Sequence, residues 1–394
     1  MKALVAAALL LAAVCATRIV SVSAQGGPRV GEPLAGISPR QLEEFRLGLD
    51  DFLEVETSEE GLGPAFNGTS CAVCHNVPVV GGAGVIGEIR AAGRDASGRP
   101  IALSPDGETL FQLFSTPLHG CQVQLPAEAV IIARRIPIPL FGAGLVEAIG
   151  DESILALADP EDRNGDGISG RASIVRDIAT GDRRVGRFGW KGQHATLLAF
   201  GADAYRNEMG ITNDLFRTEL GVGLTPEQYR RCDPFPDPED RVDPATRRRG
   251  IDNFESFMRF LAPAGRGDIT AQVTRGQELF ASVGCASCHV PVLTTAPSRE
   301  PAFDRQAVAL FSDLLLHDIG TGDDIPQASA QPDEIRTPAL WGLRFRRPFL
   351  HDGSAATIEE AIDRHRGEAD KSRAVFGALP PEAQAALLAF LRSL

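Results

Sequence analysis

Long apolar runs are nearly absent from this chain of 394 residues. The one that exists, residues 3–16, follows Lys2, is rich in Ala, and is too short to cross a bilayer comfortably. Nothing later is long and apolar enough for a membrane-spanning helix. With Val22-Ser23-Ala24 ahead of Gln25 as a small-residue cleavage site, residues 1–24 read as a secretory signal peptide. The expected home of the mature protein is therefore the periplasm. A lipoprotein anchor on Cys15 is the rival reading, disfavoured by bulky Val14 where a small residue is expected. Positive charge is also short. Lys plus Arg number 39 against 52 Asp plus Glu, a net −13; the first 24 residues hold Lys2, Arg18 and no acid, so the mature chain stands at −15. Such a surface repels phosphate backbones and excludes nucleic acid as a partner. The cluster Arg247-Arg248-Arg249 reads as a solvated loop. Methionine is scarce too: beyond Met1 there are only Met209 and Met258.

What remains is an ordinary globular composition, 43% hydrophobic and 23% charged, at a length that allows two or three domains. Seven cysteines fall into three groups. Cys15 leaves with the signal, and Cys71/Cys74 and Cys285/Cys288 form two close pairs. Cys121 and Cys232 are left over, an even number in an oxidising compartment. That number admits a disulfide, although sequence alone does not bring the two together.

Both close pairs are complete CxxCH motifs: Cys71-Ala72-Val73-Cys74-His75 and Cys285-Ala286-Ser287-Cys288-His289. Positions i, i+3 and i+4 share one helical face, so two thiols can add to the vinyl groups of a haem while the histidine reaches its iron. One CxxC alone also suits a disulfide or zinc; two full copies in an exported chain point to two covalently bound haems c, with His75 and His289 as proximal ligands. The settings of the motifs are alike. Phe45, Leu49 and Phe52 precede the first, and Phe254, Phe257, Met258 and Leu261 form a closing helix. Residues 275–280 lead into the second, and Leu387, Leu388 and Leu391 close the chain at helical spacing. This plan resembles small cytochrome c domains. Residues 262–268 (APAGRGD) read as a linker. The expectation is a mainly α protein of two cytochrome c-like domains: 25–265, enlarged by an irregular insertion within residues 81–244, and 266–394.

Sixth ligands would decide what each haem does. The remaining histidines are His119, His194, His317, His351 and His365. Thr357-Ile358-Glu359-Glu360 reads as a capping box, and Ile358, Ala361, Ile362 and His365 then fall on one apolar stripe. His365 is expected to point inward, as a ligand of the second haem or as a hydrogen-bonded core histidine. Asp162-Arg163-Asn164-Gly165-Asp166-Gly167 alternates oxygen ligands as a calcium loop does, although Ser173 stands where an EF-hand has Glu. Asp162, Asn164 and Asp166 are the calcium candidates, and a capped turn is the alternative.

Residues 347–354 (RPFLHDGS), followed by residues 357–361 (TIEEA), resemble a segment of the bacterial di-haem cytochrome c peroxidases. In those enzymes the distal ligand of the C-terminal haem lies 14 positions after the histidine, which here is His365. Over nearly the whole mature chain the sequence resembles the di-haem oxidoreductase family more closely. The marks are GPAFN (63–67), DGISGR (166–171), GRFGWK (186–191), NEMGIT (207–212), SDLLLHD (312–318) and TPALWG (337–342). The resemblance implies Glu208 as an acid–base group at the first haem and Trp190, rather than Trp341, as an electron relay. It leaves Met209 as a haem ligand or a packing residue. Related di-haem peroxidases bind calcium, which adds to the case for the loop at 162–166. Two departures stand out. Ile319 replaces a methionine common after His317-Asp318, and no glutamine that would assist Glu208 is recognisable near residues 197–201.

The resemblance implies an enzyme that reduces peroxide at the N-terminal haem. Its electrons would arrive through the C-terminal haem from a small periplasmic cytochrome c or cupredoxin. A non-catalytic electron carrier, and an oxidase of a thiol or small organic substrate, are the alternatives carried forward.

Overall fold

Crossing helices bracket each CxxCH segment. The computed structural model describes residues 29–104, 107–116, 121–219, 221–232 and 241–394; residues 1–24, read above as a signal, with Cys15, and His119 lie outside them. The helix Pro39–Leu53 begins at Ser38, whose hydroxyl accepts the Gln41 N–H while the Gln41 side chain accepts the Ser38 N–H. It lies across the helix Gly250–Phe260. Gly48 makes the crossing close, because a Cβ there would run into Asn253 O and the Phe257 backbone. The arrangement recurs near the C-terminus, where Ala271–Ser282 crosses Pro381–Leu391 at Gly276, beside Ala386 O. In both pairs the phenylalanine one turn after the glycine stacks on the closing helix. Phe52 meets Phe257 at a centroid distance of 4.6 Å, and Phe280 meets Phe390 at 5.2 Å. Gly276→Ala should therefore force the two C-terminal helices apart, at about 1–3 kcal/mol. A urea or thermal midpoint equal to that of wild type would refute this account of the crossing.

Two cores follow from these crossings. The larger joins Phe45, Phe52, Leu197, Tyr205, Phe254 and Phe257 to Leu293, Phe303, Leu310 and Leu315, from beyond residue 265. The smaller is built on Val273, Phe280, Phe311, Phe349, Leu387 and Phe390. No helix among the described residues is long and apolar enough to cross a membrane.

The expectation of a mainly α protein is overturned. The described residues are 31% helical and 14% strand, a mixed α/β structure with several small sheets. The main sheet lies in the region read as an irregular insertion. Its central strand Glu88–Arg94 pairs antiparallel with Ile131–Arg135 on one edge, and with Pro100–Ala102 and Leu110–Phe111 on the other. The central strand reads EIRAAGR and is buried over four consecutive residues, so it shows no polar/apolar alternation. Its partners are only two to five residues long. Such strands exist through pairing between distant segments, which no local pattern announces. A disulfide between Cys121 and Cys232, with Cα atoms 5.8 Å apart, closes the pairing that composition left open.

One further helix positions the site. Leu197–Met209 starts at Thr196, whose Oγ1 accepts the Ala199 N–H, and ends at Gly210 with φ 72°. Gly210 abuts Ala65 O and Gly63 O, where a side chain would not fit. The Gly63 and Asn67 N–H groups then bond Met209 O and Glu208 O at 2.8 and 2.7 Å. Glu208 is thereby fixed against the loop that leads to the first CxxCH.

Candidate functional site

Each CxxCH lines its own apolar cavity. The first cavity, about 1180 Å³ including its open part, is bordered by Phe52, Cys71, Cys74, His75, Glu208 and Met258 among others. The second, about 1340 Å³ on the same measure, is bordered by Phe280, Cys285, Cys288, His289, Leu340 and His365 among others. Cys71, Cys74, Cys285 and Cys288 take part in no disulfide. Burial pushes Cys71 and Cys74 up to about 12 and Cys285 up to about 11, so these are thiols rather than thiolates at neutral pH.

The histidines are prepared in the same way. His75 donates from Nδ1 to Gly82 O at 3.0 Å, and His289 from Nδ1 to Phe311 O at 3.0 Å. His365 donates from Nδ1 to Ala361 O at 2.6 Å. A ring whose Nδ1–H is spent on a carbonyl keeps its lone pair on Nε2, the tautomer that binds a metal. Burial lowers the proton affinity of all three rings; in His289, burial and then His365 push it down to about 4. His289 and His365 are thus neutral imidazoles lining one cavity. Cavities of this size, each with a neutral imidazole and a thiol pair, fit haem.

Other candidates are sorted by their partners. His317 is held on both sides, Nε2 by Asp313 at 2.9 Å and Nδ1 by Glu368 at 2.7 Å. Burial works against its charge, but Asp313, Cys288 and Glu368 hold it up to about 12, so it is a fixed imidazolium with no nitrogen left to bind a metal. The same two-sided grip accounts for the one close Cys/Asp/His group among the described residues, Cys288–Asp313–His317. His194 is tied to Asp203 at 2.9 Å. Ile319 lines the second cavity, and Met209 and Met258 line the first.

Glu208 faces the first cavity and is not alone. Asn67 Nδ2 donates to its Oε2 at 2.8 Å, taking the part sought in vain from a glutamine near 197–201. Burial, and then the charge of Glu88, push Glu208 well above the usual carboxyl range. Burial would raise Glu88 as well, but Arg90 grips it at both oxygens, at 2.8 and 3.0 Å, and holds it low. The two carboxyls are thus driven apart, Glu208 up and Glu88 down, so of the two Glu208 is the one that keeps its proton to higher pH. Glu88, Arg90 and Arg135 are brought there by the sheet, in which Glu88 is the cross-strand partner of Arg135. No motif marked them, because their neighbours come from another strand.

Trp190 borders both cavities. Its Nε1–H donates to Ile136 O at 2.8 Å, the Arg346 guanidinium sits 5.0 Å from its ring centre, and His351 meets it edge-on at 6.1 Å. Trp341 packs instead in the larger core, beside Gly142. The loop at 162–166 turns its oxygens inward on its own backbone. The Gly167 N–H bonds the Asp162 carboxylate, Asp166 N–H bonds Asn164 Oδ1 and Ile168 N–H bonds Asp166 Oδ1. These are the bonds of a capped Asp/Asn/Gly turn.

Two cavities, each with a prepared imidazole and a thiol pair, joined by one indole, define a two-centre haem oxidoreductase. Comparison with known proteins makes the class specific: residues 115–394 match the family described as "di-haem oxidoreductase, putative peroxidase", and the chain belongs to it. Membership implies two haem groups and an enzyme. The methylamine utilization protein MauG of Methylorubrum extorquens is 28% identical over 131 residues, 31% of this chain and 32% of that protein. The match thus spans about a third of the relative's length. Among solved structures, the diheme peroxidase BthA of Burkholderia thailandensis is similar at 16% identity and a TM-score of 0.44, covering 94% of each chain. A hydrazine synthase of Kuenenia stuttgartiensis is similar at 15% identity and a TM-score of 0.41, covering 100% of each chain.

Proposed function

We propose that this protein is a periplasmic peroxidase with two covalently bound haems c, attached at Cys71/Cys74 and Cys285/Cys288. The observation that carries the reading is the contrast between the cavities. The first presents a proton-holding carboxyl pair, Glu208 and Glu88, whereas the second presents a second neutral imidazole, His365, opposite no such pair. A cavity with an acid–base group suits bond cleavage, and one with two imidazoles suits electron storage. Haem, when bound, supplies the redox chemistry. His75 and His289 would hold the irons, His365 would complete the second, and Trp190 would stand between them as the relay. Electrons would come from a small periplasmic cytochrome c or cupredoxin. Calcium at Asp162, Asn164 and Asp166 is carried as a separate proposal for a structural ion.

A second reading, oxidation of a small organic substrate, rests on an open pocket lined by Phe66, Asn67, Val73, Leu113, Phe114 and Thr116. It adjoins Glu208 through Asn67 and carries no charged side chain among its lining residues.

The denatured chain should retain a mass two haems above that of the polypeptide, and Cys285→Ala with Cys288→Ala should leave one. Retention of both haems in that variant would sink the attachment. Spectra taken with and without peroxide separate the functions. A high-spin haem that reacts with peroxide supports the peroxidase, and two inert low-spin haems would mean a carrier.

A further inference from the structure

Two buried arginines, one in each cavity, lack partners for part of their guanidinium. Arg135, 1% exposed, spends Nε on Asp323 at 2.7 Å and Nη1 on Gln327 at 2.5 Å, but its buried Nη2 has no hydrogen-bond partner. Arg346, 6% exposed, gives Nη2 to Leu350 O at 2.9 Å, and its buried Nε has none. Arg135 lines the first cavity and Arg346 the second. A buried unpaired guanidinium N–H is costly, and guanidinium is the side chain best shaped for a carboxylate.

The other cations at these cavities are occupied. Arg90 is gripped by Glu88 and Glu108, and Arg336 donates to Gly189 O and Thr337 O. Arg373 also has an unpaired Nε, but it is a quarter exposed and ion-paired to Asp370 at 3.1 Å. Counter-charge is short as well. Arg135 shares Asp323 with Lys191, whose ammonium is fully buried at 3.2 Å from that carboxylate. Arg346 donates only to a carbonyl and lies over an indole face.

Each arginine also shares its cavity with Trp190. Arg346 lies over the face of Trp190, and Arg135 precedes Ile136, whose carbonyl accepts the Trp190 N–H. We propose that Arg135 and Arg346 are the carboxylate-binding residues for the propionates of the first and second haem. The inference rests on the di-haem reading and adds to it the residues that hold the haem carboxylates. Each arginine acts on its haem through charge: a buried cation favours the ferrous form, which carries one positive charge fewer on the iron. Each also neutralises a carboxylate, so the two cavities that Trp190 borders hold ion pairs rather than bare cations.

The test uses the holoprotein with both haems counted by mass, since a wild type with fewer than two sinks the underlying reading and this inference together. With two haems present, Arg346→Gln should lower the midpoint potential of one haem and shift its propionate-bending band in resonance Raman. Arg135→Gln should do the same to the other haem. Arg346→Lys and Arg135→Lys keep the charge but not the fork. They should restore most of the potential while leaving the Raman band displaced, and they carry the test if a Gln variant does not fold. Unchanged potentials and bands in the Gln variants, or an unmoved band in the Lys variants when only those fold, would overturn the assignment.

Discussion

Glu208→Gln is expected to slow the reaction with peroxide by about a hundredfold or more, the usual size of a general acid–base contribution. Both haems and their potentials should stay nearly unchanged. Cleaving an O–O bond as a pair of charges requires a proton to leave one oxygen and arrive on the other. Glu208 is placed to carry that proton, because Asn67 holds Oε2 and the side chain lines the first cavity. The amide of Gln keeps shape and hydrogen bonding but cannot take up a proton. The pH profile gives a second readout. Glu208 is raised by burial and by Glu88, so its carboxyl keeps its proton to higher pH than an ordinary carboxyl and must lose it before it can accept one. The wild-type rate should therefore climb as pH rises toward the raised pKa, and the climb should vanish in Glu208→Gln. Normal peroxide kinetics in that variant would refute the role and favour the carrier or the organic-substrate reading.

His365→Ala should convert one low-spin haem to high-spin and displace its potential, with both haems still attached. The ring lines the same cavity as His289, and its Nδ1–H is spent on Ala361 O. Its loop is held from three residues downstream, where Glu368 binds His317 at 2.7 Å and the Ser169 and Asp318 N–H groups at 3.0 and 3.1 Å. That clamp stays in the variant, so the change removes the ligand and not the loop. The alanine leaves an opening beside the iron that water or an added imidazole can fill. Imidazole should then restore the low-spin spectrum. A spectrum identical to that of wild type would mean that another residue completes the second site.

Some of this was legible in the residues and some was not, for a physical reason that recurs. The helix start at Thr357 and the inward direction of His365 are local, although the helix ends at Asp363, short of His365, and the Glu360 carboxylate accepts the Ala356 N–H rather than that of Thr357. Thr357 does accept the Glu360 N–H, and His365 does line a cavity. The strand Glu88–Arg94 was not legible, because charged and small residues there are buried by partners supplied from elsewhere. The amide that holds Glu208 was sought nearby in sequence and came instead from Asn67, which is brought alongside by the Gly210 turn.

The sequence by itself determined the two CxxCH motifs, the histidine that follows each pair, and membership of the di-haem oxidoreductase family. These depend on covalent spacing and helical period, which a few consecutive residues suffice to specify. Only the tertiary structure decided that Glu88 partners Glu208, that Asp313 and Glu368 withdraw His317 from metal binding, and that Trp190 borders both cavities with Arg346 on its face. Those properties are proton affinities and contacts of buried polar groups. They are set by whichever charges arrive within a few ångströms once burial has removed water, and that proximity exists only when distant segments pack.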